Sequence, residues 1–102
     1  MISPDAPARA RAPRGRFVTF EGVEGAGKST QIPAAERHLN ALAVDVLATR
    51  EPGGTPLGEG VRALLLDPAN AGMDPAAELL LLFAARAEHI ARVVEPALAR
   101  GQ

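Results

Sequence analysis

The sequence contains no cysteine, tryptophan or tyrosine and only three phenylalanines in 102 residues. Without cysteine there can be no disulfide staple and no zinc–thiolate site, which agrees with a reducing, cytoplasmic setting. The formal net charge is -1, so the chain lacks the basic excess that would mark a nucleic-acid partner. Nor does any apolar run approach the roughly 20 residues needed to span a bilayer; the longest is LLLLFAA at residues 79–85, and no membrane association is expected. Residues 1–15, rich in Pro, Ala and Arg, hold no apolar stretch of the kind a secretory signal requires and read as a loose tail. Lysine is nearly absent as well: Lys28 is the only lysine among the eleven basic residues.

What is present is the composition of a globular protein, 47% hydrophobic and 23% charged, in a length of one domain or less. The apolar run RFVTFEG (16–22) precedes a glycine-rich loop and predicts a buried strand. Ile32, Ala35, Leu39 and Leu42 then recur at helical spacing, with Pro33 expected to kink or locally adjust the second turn. VDVLAT (44–49) predicts a second strand, reached by a right-handed crossover. Thr55 and Pro56 form a cap-and-start pair for a helix through Val61, Leu64 and Leu65, and Asp74 and Pro75 form another for a long helix towards Ala99, where Pro96 bends or ends it. The order β-α-β-α-α predicts an α/β architecture with a parallel sheet. Two strands make a meagre sheet, so the reading is that residues 16–102 are the N-terminal portion of a larger α/β domain whose third strand lies further along.

Residues 22–29, GVEGAGKS, fit the pattern G-x-x-x-x-G-K-S/T. Glycines at such positions let successive amides turn inward into a concave nest for phosphate oxygens, and the free amides of the following helix start reinforce it. The candidate phosphate-binding residues are therefore Gly22, Val23, Glu24, Gly25, Ala26, Gly27, Lys28, Ser29 and Thr30. Lys28 suits the β and γ phosphates of a nucleoside triphosphate, and the Ser29 hydroxyl suits Mg²⁺. The plainer alternative, a glycine-rich turn that merely starts a helix, is outweighed by the strand expected before the loop and the helix expected after it. A dinucleotide-binding loop is disfavoured because Gly22, Gly25 and Gly27 do not have G-x-G-x-x-G spacing. Glu24 would repel a polyphosphate, so its carboxylate either faces away or serves a second ligand.

A second polar set follows. TREPGGTP places Arg50 and Glu51 at the expected sheet edge where ligands of open α/β folds bind. Arg62 and Arg86 lie on the two later helices, and a planar guanidinium suits a monophosphate because it donates two parallel hydrogen bonds. Either arginine could equally be surface charge. Phe83, one turn before Arg86, could offer its ring to a base or belong to a core, and His38 and His89 read as ordinary surface or helix-end residues.

Taken together, FEGVEGAGKST, TREPGGTPLGEGVR, ELLLLFAARAEH and EPALARG resemble bacterial thymidylate kinases over residues 16–101. The resemblance implies a three-layer α/β/α P-loop nucleoside-monophosphate kinase fold. It also implies transfer of the γ-phosphoryl group of ATP to dTMP with Mg²⁺, and a cytoplasmic homodimer. It assigns Lys28, Glu24 and Arg86 to catalysis, Glu24, Glu51, Arg62, Leu82, Phe83 and Arg86 to the acceptor nucleotide, and Ser29 to the metal. Many relatives carry a phenylalanine four residues before the arginine; that position here is Leu82, with Phe83 only three away. Gly25 stands where some members have an arginine, so the likeness is to the class whose compensating basic residues lie in a later lid. The lid, an Asp-Arg pair and the adenine loop are expected beyond Gln102, and the 102-residue chain alone is expected to be inactive. Two alternatives stay open: a non-enzymatic phosphate-binding or association module, and a related nucleoside or nucleotide kinase with another acceptor.

Overall fold

The computed structural model describes residues 13–23 and 25–102. Four helices form: α1 (Lys28–Ala41), α2 (Pro56–Leu66), α3 (Pro75–His89) and α4 (Glu95–Ala99), with a short 3₁₀ turn at Pro68–Asn70. Their starts are set by local chemistry. The Thr55 hydroxyl accepts from the Gly58 amide at 2.9 Å, and Pro56, which has no amide to leave unpaired, takes the first position of α2. Asp74 does the same for α3, accepting from the Ala76 amide at 3.0 Å ahead of Pro75. α1 runs unbroken through Pro33, while its start at Gly27 has no side-chain cap.

The expected helix towards Ala99 is interrupted. Residues Ile90–Val94 form a π-helical turn between α3 and α4. Pro96 has no amide and its ring crowds the carbonyl four residues back, so the widened turn just ahead of it is where the backbone adjusts.

The predicted parallel sheet is not formed. Among the described residues there is no β-strand, and the regular elements are all helical. Residues 16–22 and 44–49 carry no hydrogen-bonded ladder, and Phe17, Val18 and Phe20 are 59%, 71% and 47% exposed. The α/β, three-layer assignment and the crossover between two strands are therefore corrected. Short apolar runs report a tendency to be buried, whereas a strand exists only through hydrogen bonds to a neighbour, and these two runs do not pair with each other. α1 accordingly has nothing to cover: it meets no other helix among the described residues, contains no buried residue, and leaves Leu39 and Leu42 exposed.

Burial is concentrated where α2 packs on α3 and where α3 continues through the π turn into α4. Val61, Ala85 and Ala97 are the buried apolar residues, joined by the polar Thr55 and His89. Arg14 pairs with Glu95 at 2.7 Å and the Gly15 amide bonds the Leu98 carbonyl at 2.8 Å, which fastens this stretch to α4; residues 1–12 of the expected tail lie outside the described residues. With Thr55 both buried and capping, Thr55→Ala should lower stability by about 1 kcal/mol, read as a lower urea midpoint with an unchanged slope.

Candidate functional site

The segment between residues 49 and 54 is fixed from two sides. Towards α3, the Thr49 hydroxyl lies 2.7 Å from His89 Nε2, and Arg86 Nε donates to Glu51 Oε1 at 2.8 Å. Towards α2, Arg50 makes a forked pair with Glu59, at 3.2 and 2.7 Å, and the Gly54 amide donates to the same carboxylate at 3.1 Å. Arg62 reaches the Pro52 carbonyl at 3.4 Å. Gly54 adopts φ +77°, and a Cβ there would meet Thr49 Oγ1 and the His89 ring at 2.6–2.8 Å. Only glycine fits so close a backbone approach in that conformation.

Between this segment and α3 lies a cavity of about 230 Å³ lined by Glu51, Pro52, Leu79, Leu82, Phe83 and Arg86. Ligand pockets commonly run to roughly 300–1,000 Å³, so this one is smaller than a pocket that encloses a whole drug-sized ligand. The structure thus brings together four of the predicted acceptor-side residues: Glu51, Leu82, Phe83 and Arg86. Both Leu82 and Phe83 face the space, on a wall that is otherwise apolar. Arg62 is placed apart from it, held against the back of the 51–54 segment.

The glycine loop leads into α1. Gly25 and Gly27 have φ +82° and +95°, values glycine reaches without a Cβ penalty, and both have open space where a side chain would stand. The first helical amides after Gly27 are free of any side-chain cap. Lys28 Nζ donates to the Gly22 carbonyl, folding its ammonium back across the loop. These features suit oxyanions, since uncapped amides, a helix start and a cation converge. Glu24, assigned to catalysis and to both nucleotides, lies outside the described residues. Ser29, in the first turn of α1, lines a second and wider cavity of about 720 Å³ together with Ile32, Thr49, Arg50, Arg92 and Arg100. Thr49 and Arg50 border this space and Glu51 and Pro52 border the other, so the same short segment forms a wall of both.

The electrostatics follow the pairs. Hydrogen bonding and charge from Glu51 raise the Arg86 guanidinium above its ordinary value, and Glu21 adds to this from farther off. Glu21 immediately precedes the glycine loop, so the loop entrance lies within electrostatic reach of Arg86. The Arg50 hydrogen bond, then the Gly54 amide, hold Glu59 below the usual carboxylate range.

Sequence reasoning missed His89. It stands at the end of α3, as expected, but is 2% exposed rather than on the surface. Its Nδ1 is buried, has no hydrogen-bond partner among the described residues, and faces Glu51 Oε2 at 3.6 Å. Its spacing gave no signal, because the residues that close over it, Thr49 and Gly54, lie far from it in the chain.

Comparison with known proteins gives one result. The thymidylate kinase family profile matches residues 20–102. The chain is 56% identical over 89 residues to the thymidylate kinase of Alkalilimnicola ehrlichii, covering 87% of this chain and 41% of that protein. The corresponding enzymes of Geotalea daltonii and Pseudomonas syringae pv. tomato are 58% identical over 85 residues and 59% over 88, with 40% and 42% of their lengths covered. The chain thus spans about two-fifths of the curated relatives it matches.

Because Glu59 is held low by native contacts, it favours the folded state at pH values above its unfolded titration, and that contribution fades as pH falls through its folded value. An NMR titration of the Glu59 carboxylate should therefore give a midpoint below that in Arg50→Met. Equal midpoints would show that the fork does not persist in solution.

Proposed function

As the chain belongs to the thymidylate kinase family, we propose that it supplies the donor-phosphate loop and the acceptor cavity of an enzyme that phosphorylates dTMP to dTDP with ATP. The single observation that carries this reading is the cavity itself. A cationic guanidinium stands at one end and the apolar Leu82–Phe83 surface beside it. A nucleoside monophosphate has the matching division, a dianionic phosphate joined to a flat, weakly polar base. A wholly apolar ligand would make no use of the Arg86 guanidinium, which stays with Glu51, and inorganic phosphate alone would leave the apolar wall uncovered.

In the proposed reaction an oxygen of the dTMP phosphate attacks the γ phosphorus of ATP. The bond to the β–γ bridging oxygen breaks, and ADP leaves with that electron pair. The attacking phosphate is largely deprotonated at neutral pH, its second pKa being about 6, so no histidine base is required. The chain's contribution is position and charge neutralisation. The loop amides from Gly22 to Thr30 hold the donor phosphates, with Lys28 exchanging the Gly22 carbonyl for phosphate oxygens. Arg86 holds the acceptor phosphate, and Leu82 and Phe83 hold the base. Glu24 serves the acceptor side within the same loop.

Among the described residues no cluster of three acidic, histidine or cysteine side chains could cage a metal. That suits Mg²⁺, which keeps several waters and is held chiefly by substrate phosphates; Ser29 is the residue that would add a protein oxygen, and the ion would neutralise charge on the β and γ phosphates. No helix among the described residues is long and apolar enough to cross a membrane; the cytoplasmic setting is proposed from the family resemblance alone. The homodimer implied by the family belongs to the same proposal.

Removal of a charge that meets the transferring phosphoryl group costs about 10³-fold or more, and the lid and Asp-Arg groups expected in the whole enzyme lie outside this sequence. The 102-residue chain with ATP, Mg²⁺ and dTMP should therefore give no dTDP above background. It should nevertheless bind dTMP in calorimetry in preference to thymidine. Arg86→Met should weaken dTMP about tenfold or more while leaving thymidine unchanged. Equal binding of dTMP and thymidine by the unaltered chain would remove the monophosphate reading.

A further inference from the structure

Glu51 has two oxygens and two neighbours. Oε1 takes Arg86 at 2.8 Å, and Oε2 faces the buried Nδ1 of His89 at 3.6 Å, a separation too long for a hydrogen bond. The other imidazole nitrogen is engaged with Thr49 at 2.7 Å. The Thr49 hydroxyl can donate or accept, whereas the Glu51 carboxylate only accepts, so we assign the ring proton to Nδ1, on the side of the carboxylate, with Nε2 accepting from Thr49. A buried donor without an acceptor is costly, and His89 is 2% exposed with this nitrogen unsatisfied. The ring has little freedom to seek a different partner, because Gly54 lies against it closely enough to exclude even a methyl group.

Arg86 is in a different situation. Its side chain is 60% exposed and lines the cavity, and among the described residues it hydrogen-bonds Glu51 alone. A phosphate dianion entering the cavity competes for that guanidinium, and carries more charge than the carboxylate it displaces. Were Glu51 simply abandoned, an unpaired carboxylate would be left beside the incoming anion, and much of the gain would be lost to repulsion.

We propose that His89 is a positioning residue of the acceptor site: when a phosphate draws Arg86 away from Glu51, the buried Nδ1–H of His89 receives the freed carboxylate. The exchange is a closure of less than about one ångström at one oxygen, from 3.6 Å to hydrogen-bonding distance. Its effect is to make Arg86 available at low cost and to turn the Glu51 charge from the ligand. This inference rests on the reading of the cavity as a nucleoside-monophosphate site. It adds a residue that never touches the nucleotide.

The test uses the 102-residue chain labelled with ¹⁵N, titrated separately with dTMP and with thymidine while backbone amides and the His89 ring are followed by NMR. dTMP should move the Leu82 and Arg86 amides and shift the His89 Nδ1–H proton downfield, as expected for a newly formed charged hydrogen bond. Thymidine should move the amides alone. Glu51→Gln should abolish the ring response. His89→Asn, which keeps an N–H near the position of Nδ1, should hold dTMP affinity within about threefold, whereas His89→Leu should lose about tenfold for dTMP and nothing for thymidine. A general structural role for the ring would instead weaken both ligands alike, and that result overturns the proposal. So does dTMP moving the amides with an unchanged Nδ1–H proton. If dTMP moves no amide at all, the monophosphate reading itself fails, and the role of His89 falls with it.

Discussion

The Glu51–Arg86 pair is the contact on which the described site depends. It joins the segment after the second apolar run to the last turn of α3, and both partners line the cavity between them. Around it, Thr49 on His89, Arg50 on Glu59 and Gly54 against the His89 ring hold the backbone of residues 49–54 from both sides. No one of these polar contacts is strong where water reaches it. Together they define the path of a short segment that forms a wall of two cavities, one beside Ser29 and one beside Arg86.

This arrangement explains why so small a buried core can still present an ordered site. Val61 and Ala85 bury the α2–α3 contact, and those two helices carry Glu59, Arg62, Arg86 and His89. The caps at Thr55 and Asp74 start both helices at defined residues, so the registers of the arginines are fixed by local chemistry. α1 and the glycine loop, by contrast, are shaped locally, through positive φ at Gly25 and Gly27 and the Lys28 contact to Gly22.

The features legible in the sequence were those with local causes. Cap-and-start pairs and the helix after the glycine loop follow from spacing; the gathering of Glu51, Leu82, Phe83 and Arg86 joins distant parts of the chain and was expected through the family resemblance. The sheet read from the sequence was wrong, because pairing depends on a neighbour and Phe17, Val18 and Phe20 remain exposed without one. His89 was misread for a related reason. One histidine on a helix says little until Thr49 and Gly54 close over it, and those residues lie far from it in the chain. The π turn ahead of Pro96 was half legible: proline announced a disturbance, but the way the backbone absorbed it depends on the packing of α4.

The most direct measurement is a crystal structure of the 102-residue chain with dTMP bound. The account predicts the phosphate on the Arg86 guanidinium, the base against Leu82 and Phe83, and Glu51 turned to His89. Nucleotide seated instead beside Ser29 in the wider cavity, with the Glu51–Arg86 pair intact, would contradict it.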